Sequence, residues 1–204
     1  MIGGKCRKYN ANLEILKKYG GNVGLDLLSF EGDNKPVLMK PSLRGSIRPL
    51  KRHYVLMNYE IYEGFAVAED YSQFDFVSHG KKGPICKRVA FTMTEMDNIF
   101  NLAFGDVGEN GEFDDLRISD NGDRNKILAT VVNIITSYTD RYPGRWILFQ
   151  GSTESRTRLY RMAIGLNLEE LSVKFEIYTF EEDKLVLFCK NMNVNAFLIM
   201  RKKA

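Results

Sequence analysis

Side chains that commonly bind metal ions are scarce in this sequence. Among 204 residues, only His53 and His79 are histidines, and the three cysteines, Cys6, Cys86 and Cys189, are far apart and form no CxxC pair. A zinc site needs three or four ligands that converge on the ion. The sequence therefore predicts no metal site.

Long apolar runs and a strong charge of one sign are also missing. No run approaches the roughly 20 apolar residues of a membrane-spanning helix, and residues 1–8 lack the apolar core of a signal peptide. We therefore expect a cytoplasmic protein with no membrane contact. The formal net charge of +3, from 29 Lys and Arg against 26 Asp and Glu, is too small by itself to indicate nucleic-acid binding.

The sequence does contain enough apolar material for one sizeable core, with 44% hydrophobic and 12% aromatic residues. The pattern changes at Met57, after which β-type alternation begins. We predict a partly ordered N-terminal extension over residues 1–56 and a single α+β domain over residues 57–204. Residues 44–53, from Arg44 to His53, are basic and interrupted by proline. Such a stretch is typical of either a solvated linker or an arm that binds a protein or nucleic-acid partner.

Apolar periodicity predicts the elements of the domain. Alternation predicts strands paired as hairpins around residues 79–84, 107–112 and 181–183. Helical spacing predicts two main helices, at about 124–140 and 153–166. The predicted buried face of the second helix consists of Leu159, Met162, Ala163 and Leu166. We therefore predict an α+β fold in which an antiparallel or mixed β-sheet packs against two main helices.

Two helix N-termini are candidate sites for an anionic ligand, because a helix start offers unpaired N–H groups and the positive end of the helix dipole. The candidate ligand-binding residues are Gly122, Arg124 and Asn125 at the first helix and Gly151, Ser152, Thr153 and Arg158 at the second. Arg156 and Tyr160 are the candidate catalytic pair, because the helical repeat places them on one side. The alternative is that Ser152 or Thr153 only caps the second helix.

Four motifs lie within the predicted domain. They are Phe74-x-Phe76-x-Ser78-x-Gly80-x-x-Gly83, the run Asn-Ile-Phe-Asn-Leu-Ala-Phe-Gly-Asp at 98–106, Ser119-x-Asn121-Gly122-Asp123-Arg124, and Gly151-Ser152-Thr153-x-x-Arg156-Thr157-Arg158-Leu159-Tyr160. Together they resemble a domain family of unknown function that is frequent in Bacteroidota. The resemblance covers about residues 57–203. It implies a bacterial protein, and it implies no particular activity.

The order of the predicted elements carries a second resemblance. Hairpin strands, a helix entered through Asn121-Gly122-Asp123-Arg124, a strand at 145–150 and a helix that carries Tyr160 are similar in order to the GCN5-related N-acetyltransferases. The resemblance implies an acetyltransferase-like fold with the coenzyme A pyrophosphate at Gly122, Arg124 and Asn125. It also implies that Tyr160 acts as the general acid that protonates the leaving thiolate. The sequence departs from the superfamily at Arg156, where a small residue is expected.

Two hypotheses of function follow. In the first, the protein binds a phosphate-bearing ligand, acyl-CoA or a nucleotide, at a helix N-terminus, and Arg156 with Tyr160 supports acyl transfer, with acetyl-CoA or a nucleotide as the cofactor. In the second, it is a non-catalytic module that binds a protein or nucleic acid through its outward arginines and the stretch from Arg44 to His53. Such a module would suit a toxin–antitoxin or defence system.

Overall fold

A computed structural model describes residues 59–181 and 184–202. The predicted partner-binding stretch from Arg44 to His53, and the predicted extension to which it belongs, lie outside these ranges. The described residues form three helices and nine strands. The helices are α1 Arg124–Arg141, α2 Glu154–Leu166 and α3 Leu168–Lys174. The strands are β1 Ala66–Val67, β2 Gln73–Gly80, β3 Gly83–Met93, β4 Ile99–Val107, β5 Phe113–Asp114, β6 Trp146–Phe149, β7 Phe175–Glu181, β8 Lys184–Leu187 and β9 Phe197–Arg201.

The strands form one mixed sheet, in the order β1-β2-β3-β4-β6-β9-β7-β8, with β5 added beside β4. Neighbouring strands are antiparallel except β4 and β6, which are parallel. The α+β fold with a mixed sheet and two main helices is therefore confirmed. The short helix α3 was not predicted, because its seven residues give too little periodicity to stand out.

The parallel pair is joined by α1 and is short. Only residues 99–101 of β4 pair with residues 146–148 of β6, although β4 continues to Val107. Asp106 pairs with Lys87 of β3 on one side and with Asp114 of β5 on the other. Because β3 and β6 flank β4 on opposite sides, β5 lies on the side of β4 that faces β6. The strands β4 and β6 thus separate after Asn101, and β5 with the residues that follow it lies where they separate.

The main core lies between the helices and one face of the sheet. Tyr138 of α1 is almost fully buried, and its ring stacks on Phe91 of β3 with centroids 3.8 Å apart. A second, smaller apolar cluster lies on the other face of the sheet, around Ile99, Leu148 and Leu198. None of the helices in the described ranges is long and apolar enough to cross a membrane.

The predicted buried face of α2 is wrong. Met162 and Leu166 are 51% and 78% exposed, whereas Thr157 and Ile164 are the buried residues of the helix. The Thr157 hydroxyl forms hydrogen bonds in this buried position: it donates to the carbonyl oxygen of Thr153 and accepts from the Gly151 N–H. The spacing of apolar residues therefore identifies the wrong buried face, because one inward position of this helix is polar and two of its large apolar residues point outward.

Candidate functional site

The N-termini of α1 and α2 lie at one edge of the sheet, at the carboxyl ends of the parallel strands β4 and β6. In sheets with parallel strands, this edge is where ligands usually bind. Residues 115–123 run along it. The Ser152 hydroxyl, before α2, donates to the Asp115 carbonyl oxygen at 2.7 Å, and the Asn121 side chain, before α1, contacts the β2–β3 turn. One segment therefore links both predicted sites.

The N-terminus of α1 is open. Asp123 is the N-cap residue, but its side chain makes no capping hydrogen bond, and the first turn contains no acidic residue. Gly122, Arg124 and Asn125 are all exposed. Gly122 has φ +84°, a left-handed conformation that glycine adopts without strain. The aliphatic part of Lys81 passes about 3.5 Å from the position that a Cβ at Gly122 would take.

The Asp123 carboxylate is directed toward buried hydroxyl groups rather than toward the first turn. Its Oδ2 accepts hydrogen bonds from the Tyr62 hydroxyl and from the Ser78 hydroxyl, both at 2.6 Å. Burial, followed by the hydrogen bond to Asp123, raises the pKa of Tyr62, so this phenol keeps its proton and remains a donor. Asp123 Oδ1 is buried and accepts no hydrogen bond from any described residue.

Asn121, beside the predicted ligand residues, holds the β2–β3 turn. Its Oδ1 accepts from the Lys82 N–H at 2.8 Å, and its Nδ2 donates to Ser78 Oγ and to the Gly83 carbonyl oxygen, both at 3.0 Å. The side chain is almost fully buried. The Asn-Gly-Asp motif therefore has a clear structural role at Asn121 and Asp123, which leaves Gly122, Arg124 and Asn125 as its outward-facing members.

The N-terminus of α2 is closed by comparison. Thr153 caps it by accepting from the Arg156 N–H at 3.3 Å, and Glu154 lies in the first turn. Gly151 packs so closely against this turn that a Cβ would lie 2.3 Å from the Thr157 nitrogen. These contacts are those of a well-capped helix start, which was the alternative interpretation of this bend.

Arg156, a predicted catalytic residue, binds the segment that crosses the α2 N-terminus. Its Nη1 donates to Ser152 Oγ at 3.1 Å and its Nη2 donates to the Arg117 carbonyl oxygen at 2.5 Å. Arg158, a predicted ligand-binding residue, is exposed. We name residues 115–119 the strap, because side chains on both sides of it hold it across this edge of the sheet.

Tyr160, the other predicted catalytic residue, packs its ring edge-to-face against Phe149 with centroids 6.1 Å apart. Its hydroxyl forms no hydrogen bond with another described residue. Burial raises the pKa of Tyr160, Arg156 opposes that shift and Asp115 adds to it. The phenol therefore holds its proton at neutral pH. Arg156 and Tyr160 are one helical turn apart on α2.

A buried ion pair beneath the strap was not predicted. Lys87 and Asp106 are 2% and 4% exposed, and Lys87 Nζ contacts Asp106 Oδ1 and donates to Ser119 Oγ at 2.6 Å. Asp106 Oδ2 is buried and has no hydrogen-bond partner among the described residues. Alternation with the inward Val89 could have placed Lys87 on the core face of β3. In the described ranges, no group of three or more His, Cys, Asp or Glu side chains is arranged to hold a metal ion.

The chain belongs to the DUF6934 family, a family of unknown function, whose model matches residues 58–202. No curated protein and no solved structure is significantly similar to the chain. The family match includes every helix and strand described above. Both helix N-termini and the strap are therefore part of the family's domain.

Proposed function

We propose that this domain binds a phosphate-bearing ligand, an acyl-CoA or a nucleotide, at the N-terminus of α1. The observation that carries the proposal is the open first turn, which has neither a side-chain cap nor an acidic residue. The first N–H groups of a helix have no partner within it. A phosphate satisfies several of them at once and interacts favourably with the positive end of the helix dipole.

The side chains around this turn favour an anion. Arg124 and Asn125 are exposed in the first turn, and Lys81 lies against Gly122. The nearby Asp123 carboxylate is occupied by the hydroxyls of Tyr62 and Ser78. The α2 N-terminus is a weaker candidate, because Thr153 already satisfies one of its N–H groups.

Acyl transfer is the finer part of the proposal. When an acceptor attacks the acyl carbon of acyl-CoA, the bond from that carbon to sulfur breaks and the leaving thiolate needs a proton. Tyr160 is suited to supply it, since burial keeps its hydroxyl protonated and no described hydrogen bond engages that hydroxyl. Arg156, beside it, would stabilise negative charge on the reacting group.

The binding test is a thermal melt with coenzyme A, acetyl-CoA, ADP and ATP. A ligand at about 100 times its Kd adds about 2.7 kcal/mol to the free energy of unfolding and so raises Tm. We expect Arg124→Ala to weaken binding by about tenfold or more, which is the loss of one charge-assisted hydrogen bond. Arg141→Ala is the matched control, because it removes the same charge from the exposed C-terminal end of the same helix.

The absence of a Tm increase with all four ligands at millimolar concentration would contradict ligand binding. If a ligand binds but Arg124→Ala and Arg141→Ala behave alike, the site lies elsewhere. Acyl transfer is tested separately by release of free thiol from acetyl-CoA in the presence of amine acceptors. We expect Tyr160→Phe to slow that release without changing Tm, and equal rates would remove Tyr160 from the mechanism.

A second candidate function is binding to another macromolecule, because α2 presents apolar side chains to solvent. Met162 and Leu166 lie one turn apart on the same side of α2 and are both exposed, with the exposed Arg158 one turn earlier. Self-association is tested by sedimentation of the wild type and Leu166→Glu, and two identical monomers would argue against it. Binding to nucleic acid predicts retention on DNA that falls with salt, and salt-insensitive retention would contradict it.

A further inference from the structure

We propose that a second copy of this chain docks on the outward side of α2 and α3, and that the two copies pair there in antiparallel orientation. This deepens the second candidate function and rests on it, because it names the macromolecule that binds. It is independent of the phosphate-bearing ligand. The exposure, the continuity and the order of charges along the two helices support it.

The outward side of α2 and α3 carries one stripe of exposed side chains. Its members are Glu154, Ser155, Arg158, Met162, Leu166, Glu169, Glu170 and Val173. They recur every three or four positions, which places them on one side of a helix. Three of them, Met162, Leu166 and Val173, are large apolar side chains that are 51%, 78% and 72% exposed. Apolar side chains grouped in this way on a surface mark an interaction site.

The stripe continues from α2 into α3, although one residue interrupts the helix. Only Asn167 separates the two helices, and its dihedral angles, φ −107° and ψ 16°, lie outside the α-helical region. The Asn167 N–H still donates to the Ala163 carbonyl oxygen, and the Leu171 N–H donates to the Asn167 carbonyl oxygen. Both are the hydrogen bonds of an α-helix. The exposed residues before and after Asn167 therefore lie along one surface.

The charges at the two ends of this surface have opposite signs. Arg158 lies one turn before Met162, whereas the acidic pair of Glu169 and Glu170 lies about one turn after Leu166. In a twofold dimer, each contact between two residues occurs twice. A twofold axis between Met162 and Leu166 makes these two side chains face each other across the copies. It also makes Arg158 of each copy face the acidic pair of the other, so that opposite charges meet at both ends.

Other occupants of this surface fit its charges less well. Parallel pairing of two copies would place Arg158 beside Arg158 and the acidic pair beside the acidic pair, and like charges at an interface are unfavourable. A nucleic acid would bring its phosphates close to the acidic pair. Within one copy, Arg158 and the acidic pair are about three turns apart, roughly 16 Å along a helix, which is too far for an ion pair. Antiparallel self-pairing satisfies both ends at once.

The surface is small, so we expect a weak dimer. From Glu154 to the end of α3 it follows about 30 Å of helix. Interfaces of less than about 1,200 Å² are typical of transient complexes. We therefore expect the wild type to pass from monomer to dimer within a concentration series from micromolar to millimolar. Because the charged pairs lie at the exposed ends, added salt should weaken their contribution.

Sedimentation velocity of the full chain over that series tests the pairing. Arg158→Glu and the double variant Glu169→Lys/Glu170→Lys each place like charges at both ends of the dimer. We expect each to weaken dimerisation by about tenfold, since the twofold axis repeats the change. The triple variant, which combines the three substitutions, restores opposite charges and should dimerise like the wild type. Arg141→Glu is the matched control, because it makes the same charge change at the exposed end of α1.

The apolar centre has a control of its own. Leu166→Glu should abolish dimerisation, because the twofold axis brings two added charges into the centre of the interface. Leu116→Glu makes the same substitution at a leucine of the strap that is 63% exposed, and should leave dimerisation unchanged. The reverse result would overturn the assignment to α2 and α3. Urea unfolding of each variant shows that it is folded before its mass is compared.

Each remaining outcome bears on a different part. A wild type that is monomeric throughout but retained on DNA would overturn the second copy as partner and keep the second candidate function. A monomeric wild type with no such retention would overturn both. If the wild type dimerises but the triple variant stays as weak as Arg158→Glu, the antiparallel orientation is wrong. Phosphate binding at α1 is measured separately by the thermal melt and is unaffected by any of these results.

Discussion

Replacing Lys87 with methionine should destabilise the domain strongly. Methionine keeps most of the length of the side chain but removes the ammonium group, so the Asp106 carboxylate would remain almost fully buried without a cation. Its Oδ2 already lacks a described partner, and Oδ1 would lose its contact to Lys87. Removing one partner of a buried ion pair lowers the free energy of unfolding by about 3–5 kcal/mol. This is a large part of the roughly 5–15 kcal/mol by which a folded domain is more stable than its unfolded chain.

Urea unfolding followed by fluorescence measures this loss. Trp146 is the only tryptophan and lies 5.6 Å from the Tyr178 ring, so its emission reports on the sheet. With an m-value of about 2 kcal/mol/M, the midpoint of Lys87→Met should fall by about 1.5–2.5 M. The double variant Lys87→Met/Asp106→Leu contains no buried charge at the pair and should recover most of the stability.

The control is Lys190→Met. Lys190 pairs with Glu169 at 3.7 Å, but these side chains are 52% and 93% exposed, so the loss should stay below about 0.5 kcal/mol. The reasoning is refuted if Lys87→Met costs less than about 1 kcal/mol, or if the double variant is less stable than the single one. Either result would mean that the buried carboxylate tolerates the loss of its cation.

Three further predictions follow from the site and from α2. Asn121→Ala should lower the free energy of unfolding in urea by about 2–4 kcal/mol, because it removes three hydrogen bonds made by a buried side chain, and a loss below about 0.5 kcal/mol would contradict that role. Ile164→Ala should lower the free energy of unfolding by about 2–4 kcal/mol, because Ile164 is buried. Leu166→Ala should lower it by less than about 0.5 kcal/mol, because Leu166 is exposed. The reverse order would support the buried face of α2 that was predicted from sequence. Because burial raises the pKa of Tyr160, its protonated form stabilises the fold below about pH 10, and this contribution is lost as pH rises through the folded-state pKa. Tyr160→Phe should therefore leave stability at pH 7 unchanged and weaken its decline in alkaline solution, and an unaltered alkaline decline would argue against the burial effect.

Local patterns predicted the elements of this fold well, because each depends on residues close in sequence. The helix start at Arg124 and the strand at Trp146–Phe149 follow from apolar spacing and from the Pro143-Gly144 stop between them. The buried face of α2 could not be predicted in this way. Its inward position at Thr157 is stabilised by the neighbouring bend at Gly151, and this contact appears only when the bend is folded.

The candidate site was predictable only in part, since its chemistry depends on contacts between distant residues. Sequence alone marked both helix N-termini but could not tell that Thr153 closes one while Asp123 leaves the other without a side-chain cap. Nor could it show that Arg156, predicted as a catalytic residue, donates to the carbonyl oxygen of Arg117, 39 positions earlier. Partners of this kind are set by the tertiary fold and leave no local pattern.

The three-residue pairing between β4 and β6 also divides the domain for folding. Within β1 to β5, each strand pairs with the next strand in the chain, and β7 pairs with β8 and β9. The ladders of β6, with β4 and with β9, join residues much farther apart in the chain. Short-range contacts form faster than distant ones. We therefore expect the β1–β5 group and the β7–β9 group to form first, and the ladders of β6, including the seam at residues 99–101 and 146–148, to close later. In native hydrogen exchange, the amides of this seam should then open at lower free energy than those of the β3–β4 ladder beside it.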